Sequence, residues 1–331
     1  MATIRDVGKL AGVSVATVSR VINNRGYVNE QTRKAVLQAM ETLNYKPNYI
    51  ARSLAGKKTL TIAFLVSDIL NPFFPQMARS IEDEASKKGY SIVLCNSDND
   101  AQKEREYLNL LKSKRFDGVI IASYTIQAEQ ILELQNDGLP VVVLDRIFPD
   151  YPILSLICRN RQGAEEAINH LVEQGCQNIA HISGPLDIYA ARERALGFER
   201  VSRQYNRFAP SLISSGDFHI QGGYEAFLDL HAKHPDVDGV FAGNDLMAIG
   251  VMKALHELNK KIGYDVKIIG FDDIILSKMI IPELSTIRQP ISAMSQLAVE
   301  LLMKQINSEQ VEIKTYHFEV ELVVRASSKP I

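Results

Sequence analysis

From residue 60 onward the chain alternates between short, continuously apolar runs and helical stretches, and this feature limits the possible folds most. The runs are LTIAFLVS (60–67), YSIVLC (90–95), GVIIAS (118–123), PVVVLD (140–145), NIAHIS (178–183), GVFAG (239–243) and VKIIGF (266–271). A strand that is apolar on both sides must be covered on both faces, as in parallel sheets flanked by helices. Residues 60–331 are too many for one such lobe, and the pattern restarts near Arg161. Two similar lobes with a cleft between them are therefore expected. Ligands of such sheets bind beyond the carboxyl ends of the strands. The polar residues at those ends are Asn71, Asp145 with Arg146, Asn244 with Asp245, Asp272 with Asp273, and Gln289.

The first sixty residues read differently. Ile4, Val7, Leu10 and Ala11 recur at helical spacing. Gly12-Val13 breaks that helix, and Ser14 can cap a second over about 15–22. Val18, Val21 and Ile22 lie on one side of it, and Val15, Ala16, Thr17, Ser19 and Arg20 lie around the rest. Asn23 to Gly26 reads as a turn, and Asn29 caps a third helix carrying Val36, Leu37, Met40 and Leu43 at core spacing. Two short helices joined by a glycine turn form a helix-turn-helix unit. The nearly bare second helix can enter a DNA major groove, about 12 Å wide.

Charge follows the same division. Residues 1–60 hold ten Lys/Arg against three Asp/Glu, a net +7, and the rest hold 27 against 36, a net −9. A basic head on an acidic body suits a polyanion for the head alone. With 46% hydrophobic and 23% charged residues the balance is that of a soluble globular protein. No apolar run is long enough for a bilayer span, and the first twenty residues are charged where a signal peptide needs an apolar core, so a cytoplasmic location without a membrane partner is expected. Cys95, Cys158 and Cys176 are widely spaced and form no metal or disulfide pattern. There is no G-x-G-x-x-G loop, P-loop, G-x-S-x-G elbow or metal-ligand spacing. Neither catalysis nor a metal or cofactor is expected. The seven histidines are scattered, His219 and His317 reading as surface or strand residues.

The stretch TIRDVGKLAGVSVATVSRVINNRGYVNEQTRKAVLQAMETLNYKPNYIARSL is similar, almost position for position, to the head of the LacI/GalR family of bacterial repressors. Gly8 departs from the alanine usual there, and a mid-helix glycine costs up to about 1 kcal/mol. The resemblance implies double-stranded operator DNA as partner. Val15 and Ala16 take the base-reading positions, with Thr3, Ser14, Thr17, Ser19, Arg20 and Asn23 alongside. Asn48 to Leu54 resembles the family's hinge helix, with Asn48, Ala51 and Arg52 on DNA and Leu54 wedging a base step from the minor groove.

The resemblance continues to ELVVRASS at 321–328 and includes periplasmic sugar-binding proteins in its scope. It implies an α/β fold: a helix-turn-helix head over 1–47, a hinge helix and linker over 48–59, and a two-lobed effector-binding and dimerisation core of parallel sheets over 60–331, the chain crossing between lobes near 160, 290 and 320. By matching motifs it implies a ligand site of Asn71, Phe73 and Phe74 (NPFFP), Asp145 and Arg146 (LDR), Arg194 (ARERALGF), Phe218 (GDF), Asn244 (GND), Asp272 (GFDD) and Gln289 (RQP). Arg159-Asn160 stands where the family more often has Asp-Asn. Carboxylates, amides and a guanidinium together suit a polyol, and balance among Asp145, Asp272, Arg146 and Arg194 suits a neutral one.

The expected function is sequence-specific repression, at the bacterial nucleoid, gated by a small sugar. NPFFP, LDR, RERALGF and GDF are most similar to the ribose-responsive branch. Sucrose- or fructose-responsive members, or a catabolite regulator with a phosphorylated carrier protein as corepressor, are the alternatives; a sugar-transport binding protein is the alternative from another class. Only three residues follow ELVVRASS, too few for a tetramerising heptad tail, so a homodimer is expected.

Overall fold

The computed structural model describes residues 2–22, 26–45, 58–113 and 115–329. Asn23, Asn48, Ala51, Arg52 and Leu54 lie outside the described residues. The chain forms two compact units, Met1–Thr59 and Leu60–Ile331.

The first unit contains helices α1 (Ile4–Leu10), α2 (Val15–Ile22) and α3 (Glu30–Thr42). A side chain sets the start of each. Thr3 N donates to Asp6 Oδ2 at 2.8 Å while Asp6 N donates to Thr3 Oγ1 at 3.4 Å, a reciprocal capping box. Thr17 N donates to Ser14 Oγ at 3.2 Å, and Thr32 N to Asn29 Oδ1 at 2.8 Å. Val7, Val18, Val21, Val36 and Ala39 are buried together. Leu10 and Leu37, placed inside by their spacing, are half exposed at 53% and 51%. The core of the three short helices is built instead from the valines and Ala39, with Ile4, Ile22, Met40, Leu43 and Tyr45 packed around them. Gly8 also has a packing role that its propensity hides. A Cβ there would stand 2.9 Å from the Val13 carbonyl, so the turn packs directly on the helix backbone.

The second unit holds two six-stranded sheets. The strands of the first are β1 (Thr61–Val66), β2 (Ser91–Asn96), β3 (Gly118–Ala122), β4 (Val141–Leu144), β5 (Ser155–Cys158) and β11 (Thr315–Phe318), in the order β11-β5-β4-β3-β1-β2. Those of the second are β6 (Ile179–Ser183), β7 (Ile213–Ser215), β8 (Gly239–Ala242), β9 (Lys267–Asp272), β10 (Ser285–Arg288) and β12 (Glu321–Val323), in the order β12-β10-β9-β8-β6-β7. Helices α4 (Phe73–Lys87), α5 (Ala101–Lys112), α6 (Ala128–Asn136) and α11 (Ile291–Ile306) cover the first sheet. Helices α7 (Asn160–Glu173), α8 (Tyr189–Gln204), α9 (Ile220–Lys233) and α10 (Asp245–Glu257) cover the second. The chain passes between lobes after β5, after β10 and between β11 and β12. Lobe 2 side chains Leu246 and Ile274 are buried in the core of lobe 1, so the cleft is closed at one side by apolar contact.

Two features depart from the expected pattern. The β10–β12 pair is antiparallel, because β12 enters its sheet straight from β11 with no helix to reverse it. Strand β2, read as doubly buried, is an edge strand; its Val93 and Leu94 are 41% exposed.

Candidate functional site

In the first unit the described candidate DNA-contacting residues all reach solvent at least in part. Val18 and Val21 hold α2 to the core. Ser14, Val15, Ala16 and Arg20 are exposed and Thr17 and Ser19 half-buried. No acidic residue stands in the first turn of α2, so its free N–H groups and dipole can face a phosphate. Thr3 lies at the start of α1, its hydroxyl engaged by Asp6 at 2.8 Å.

In the second unit, loops at the strand ends of both lobes enclose an inner cavity with about 250 Å³ of empty space. It is lined by Asn71, Phe73, Tyr124, Asp145, Ala190, Arg194, Phe218, Asn244, Asp272 and Gln289. Eight of the ten residues assigned by motif stand here. Phe74 lines a larger outer space instead, of about 760 Å³, with Asp68, Asn99, Thr125, Asp187, Asp217 and His219. Arg146 lines neither; it donates from Nη1 to the Tyr124 and Ile126 carbonyls at 2.8 and 2.5 Å and lies 4.8 Å from the Phe148 ring centroid. Asp145, just past β4, has a left-handed backbone (φ +58°), which sends its side chain to the cleft and that of Arg146 elsewhere.

Arg194 is the centre of the inner cavity. Almost wholly buried, it donates from Nε to Asn160 Oδ1 at 2.9 Å and from Nη1 to the Gly243 carbonyl at 2.5 Å. Its Nη2 lies 3.7 Å from Asp272 Oδ1, and its Cζ lies 3.6 Å above the Phe271 ring. Asn160, set aside above because of the Arg-Asn departure, is thus the residue that orients Arg194. Gln289 Nε2 donates to Asp272 Oδ1 at 2.7 Å. Asn244 is spent on structure: it caps α10 through Met247 N at 2.9 Å and donates to the Phe218 carbonyl at 2.9 Å.

Asp145, Phe218 and Asp272 have φ of +58°, +68° and +114°. Non-glycine residues held in this region carry strain of order 1–3 kcal/mol each, and such strain clusters at functional sites. An added Cβ at Gly184 would come within 2.2 Å of the Phe218 ring, so the tip of the ring takes the space that a side chain there would fill.

The electrostatics follow from burial. Desolvation pushes the Asp272 carboxyl up to about 8 against the opposing pull of Arg194, and nearby Asp245 adds to the rise. Desolvation likewise raises Asp145, with Arg194 opposing. One guanidinium therefore faces two carboxyl groups that do not both ionise near neutral pH. Asp145 Oδ1 and Gln289 Oε1 are buried without any hydrogen-bond donor. Both are acceptors at the wall of the cavity.

His219, read as a surface residue, stands at the mouth with its Nε2 3.7 Å from Asp68 Oδ2 on the opposite lobe. Tyr124 went unread although it follows β3 as Asp145 follows β4. Among the described residues no group of three His, Cys, Asp or Glu is placed to hold a metal ion, no helix is long and apolar enough to cross a membrane, and all three cysteines are free and buried.

Two family models match. Residues 3–48 fit that of bacterial regulatory proteins, lacI family, and residues 168–328 fit a periplasmic binding protein-like domain. The chain is 44% identical over 330 residues to the ribose operon repressor of Halalkalibacterium halodurans, covering 99% of this chain and 98% of that one. The lac repressor dimer bound to operator and an anti-inducer superposes with a TM-score of 0.87 at 29% identity, covering 99% of both chains. A LacI-family regulator from Enterococcus faecium with bound ribose gives 0.74 at 33% identity, covering 82% of this chain and 99% of that one.

Proposed function

For a chain that belongs to the lacI family of bacterial regulatory proteins, we propose repression at a pseudo-palindromic operator, gated by a small unphosphorylated sugar, ribose first among the candidates. One observation carries the effector reading. Asp145 Oδ1 and Gln289 Oε1 are buried acceptors without donors, and an unmade hydrogen bond at a buried group costs about 1–3 kcal/mol. A ligand bearing several hydroxyls supplies both donors, while Arg194 supplies one back. The similarity to a ribose operon repressor and to a regulator with bound ribose supports ribose. The outer space supports the absence of a phosphate: Asp68, Asp187 and Asp217 line it, and among the described residues no Lys or Arg does.

Fluorescence anisotropy with operator DNA, with and without ribose, tests this reading. Hinge and head positions assigned by similarity should carry specific binding. Leu54→Ala is expected to weaken operator binding at least tenfold and spare non-specific DNA, since a wedge acts only at a step that unstacks cheaply. Equal loss on both DNAs counts against the wedge. Ribose must shift operator affinity by the factor by which operator shifts ribose affinity. If no sugar shifts it and a phosphorylated carrier protein does, the corepressor alternative replaces the sugar.

The neutral-ligand reading has its own test. Calorimetry should show wild-type protein binding ribose at least tenfold tighter than ribose 5-phosphate. The double variant Asp187→Asn/Asp217→Asn should narrow that gap several-fold at low salt and less at high salt, because exposed charges are screened. Tighter binding of ribose 5-phosphate by the wild type overturns it.

The partner is a second copy of the chain. Leu70, Val93 and Leu94 on lobe 1 and Met279 and Ile281 on lobe 2 are exposed apolar side chains, Ile281 at 95%. A two-fold interface pairs the same patch on both copies and brings two heads to one operator. Light scattering should give a dimer, and Leu94→Asp/Ile281→Asp should give a monomer; a monomeric wild type at micromolar concentration sinks the proposal.

A further inference from the structure

We propose that Tyr124, acting with Phe218, is the gate that limits the effector to a single ring; this deepens the sugar reading above and rests on it. Among the described residues only Asn71, Tyr124 and Phe218 line both the inner cavity and the outer space. They are therefore the partition between the two. Tyr124 belongs to lobe 1 and Phe218 to lobe 2, and their ring centroids stand 6.1 Å apart with the planes inclined at 36°. Tyr124 packs against the apolar core of each lobe, so its ring bridges the cleft at the point where the two spaces meet.

Both rings stand on clamped backbone. Tyr124 N donates to Ser67 Oγ at 3.0 Å, and its carbonyl accepts from Arg146 Nη1 at 2.8 Å. Ser123 and Thr125, on either side, donate to the carboxylate of buried Glu104. This explains what Arg146 does: it holds the gate rather than the ligand. Across the cleft the Phe218 carbonyl is tied to Asn244 at 2.9 Å. With the Tyr124 ring packed on the apolar core of both lobes, the gate opens when the lobes part and closes over whatever fits behind it.

The inner cavity is much the smaller of the two spaces and is walled by the residues named above. A second ring has to occupy the place where Tyr124 and Phe218 meet. Removing the phenol ring joins the cavity to the 760 Å³ beyond it, where Asn99, Thr125 and Asp187 can pair with further hydroxyls.

The test is calorimetry on the full chain with two pairs of ligands, ribose with uridine and fructose with sucrose, each pair sharing a sugar ring. Wild type is expected to bind the one-ring member at least tenfold tighter than the two-ring member. Tyr124→Ala should shift that ratio at least tenfold toward the larger ligand, and Tyr124→Phe should keep the wild-type ratio. Tyr124→Leu, which retains apolar packing, should shift it in the same direction if the alanine variant does not fold. A wild type that takes both members equally, or folded alanine and leucine variants with the wild-type ratio, overturns the gate. If the wild type binds none of the four, the sugar reading itself falls and the gate falls with it. If it binds a one-ring sugar and the ratio does not move, only the gate falls.

Discussion

Arg194→Ala is expected to lower the melting temperature of the effector unit by about 10 °C and to abolish sugar binding. Three losses add up. Asn160 Oδ1 and the Gly243 carbonyl lose their donor. Asp272 and Asp145 lose the cation that opposes their desolvation. Phe271 loses the group stacked at 3.6 Å. Each buried acceptor left without a donor costs about 1–3 kcal/mol, and in a domain of this size each kcal/mol moves the midpoint by roughly 2–4 °C. Arg194→Lys should not rescue it, because an ammonium cannot reach the partners that a guanidinium fork holds in fixed geometry. Operator binding in the absence of sugar should survive wherever the variant is folded, since the candidate DNA-contacting residues belong to the other unit. The measurements are thermal melting followed by far-ultraviolet circular dichroism and calorimetric titration with ribose. A melting point within 2 °C of wild type, or unaltered ribose binding, removes Arg194 from the centre of the site.

How far the site was legible depends on which physical rule each residue obeys. The caps at Ser14 and Asn29 were plain, because both are short polar side chains standing just ahead of apolar periodicity, whereas Thr3 was read as a DNA contact and its capping of α1 was not seen. Most of the strands that are doubly buried were plain for the same kind of reason, although 155–158, buried throughout, was missed. Five strands, 155–158, 213–215, 285–288, 315–318 and 321–323, were not among the runs read as strands, because three or four residues such as Ile-Ser-Ser or Ser-Thr-Ile-Arg leave too short a pattern to see. An edge position is invisible in an apolar run, so β2 was misread.

At the cleft, the rule that ligands lie beyond strand ends collected Asn71, Asp145, Asn244, Asp272 and Gln289. The same rule reaches Tyr124, which stands two residues past β3. It was passed over because a tyrosine in Ser-Tyr-Thr carries no charge to draw attention. Arg146 was misassigned because adjacency in sequence was taken for adjacency in space, whereas the left-handed turn at Asp145 sends the two side chains to different sides. Asn160 was set aside because its neighbour is arginine, although the asparagine alone makes the contact that orients Arg194. The charge balance drawn from four residues thus fails, because Arg146 stands outside the cavity, and the low charge of the site has another origin, the burial that raises the Asp272 carboxyl to about 8.

That origin gives a large pH effect. The Asp272 carboxyl, pushed to about 8 chiefly by burial, and Asp245, pushed to about 7 for the same reason, both start from 3.8. Between about pH 4 and these values the folded unit holds protons that the unfolded chain has released. Stability therefore falls as pH rises through that window, by at most about 1.4 kcal/mol per pH unit for each group. Melting midpoints of sugar-free protein are expected to drop by several degrees from pH 5.5 to 8.5, and Asp272→Asn, which stays neutral throughout, should flatten part of the slope. A sugar reverses part of this dependence. Its hydroxyls donate to the carboxylates and favour the ionised form, so ribose affinity should rise between pH 6 and 8 with release of a proton. Calorimetry in buffers of different ionisation enthalpy reads that proton directly. Identical heats in phosphate and Tris at pH 7 would show that ribose releases no proton, and a wild-type slope no steeper than that of Asp272→Asn would show that the Asp272 carboxyl is ionised in the folded protein; either result overturns this account.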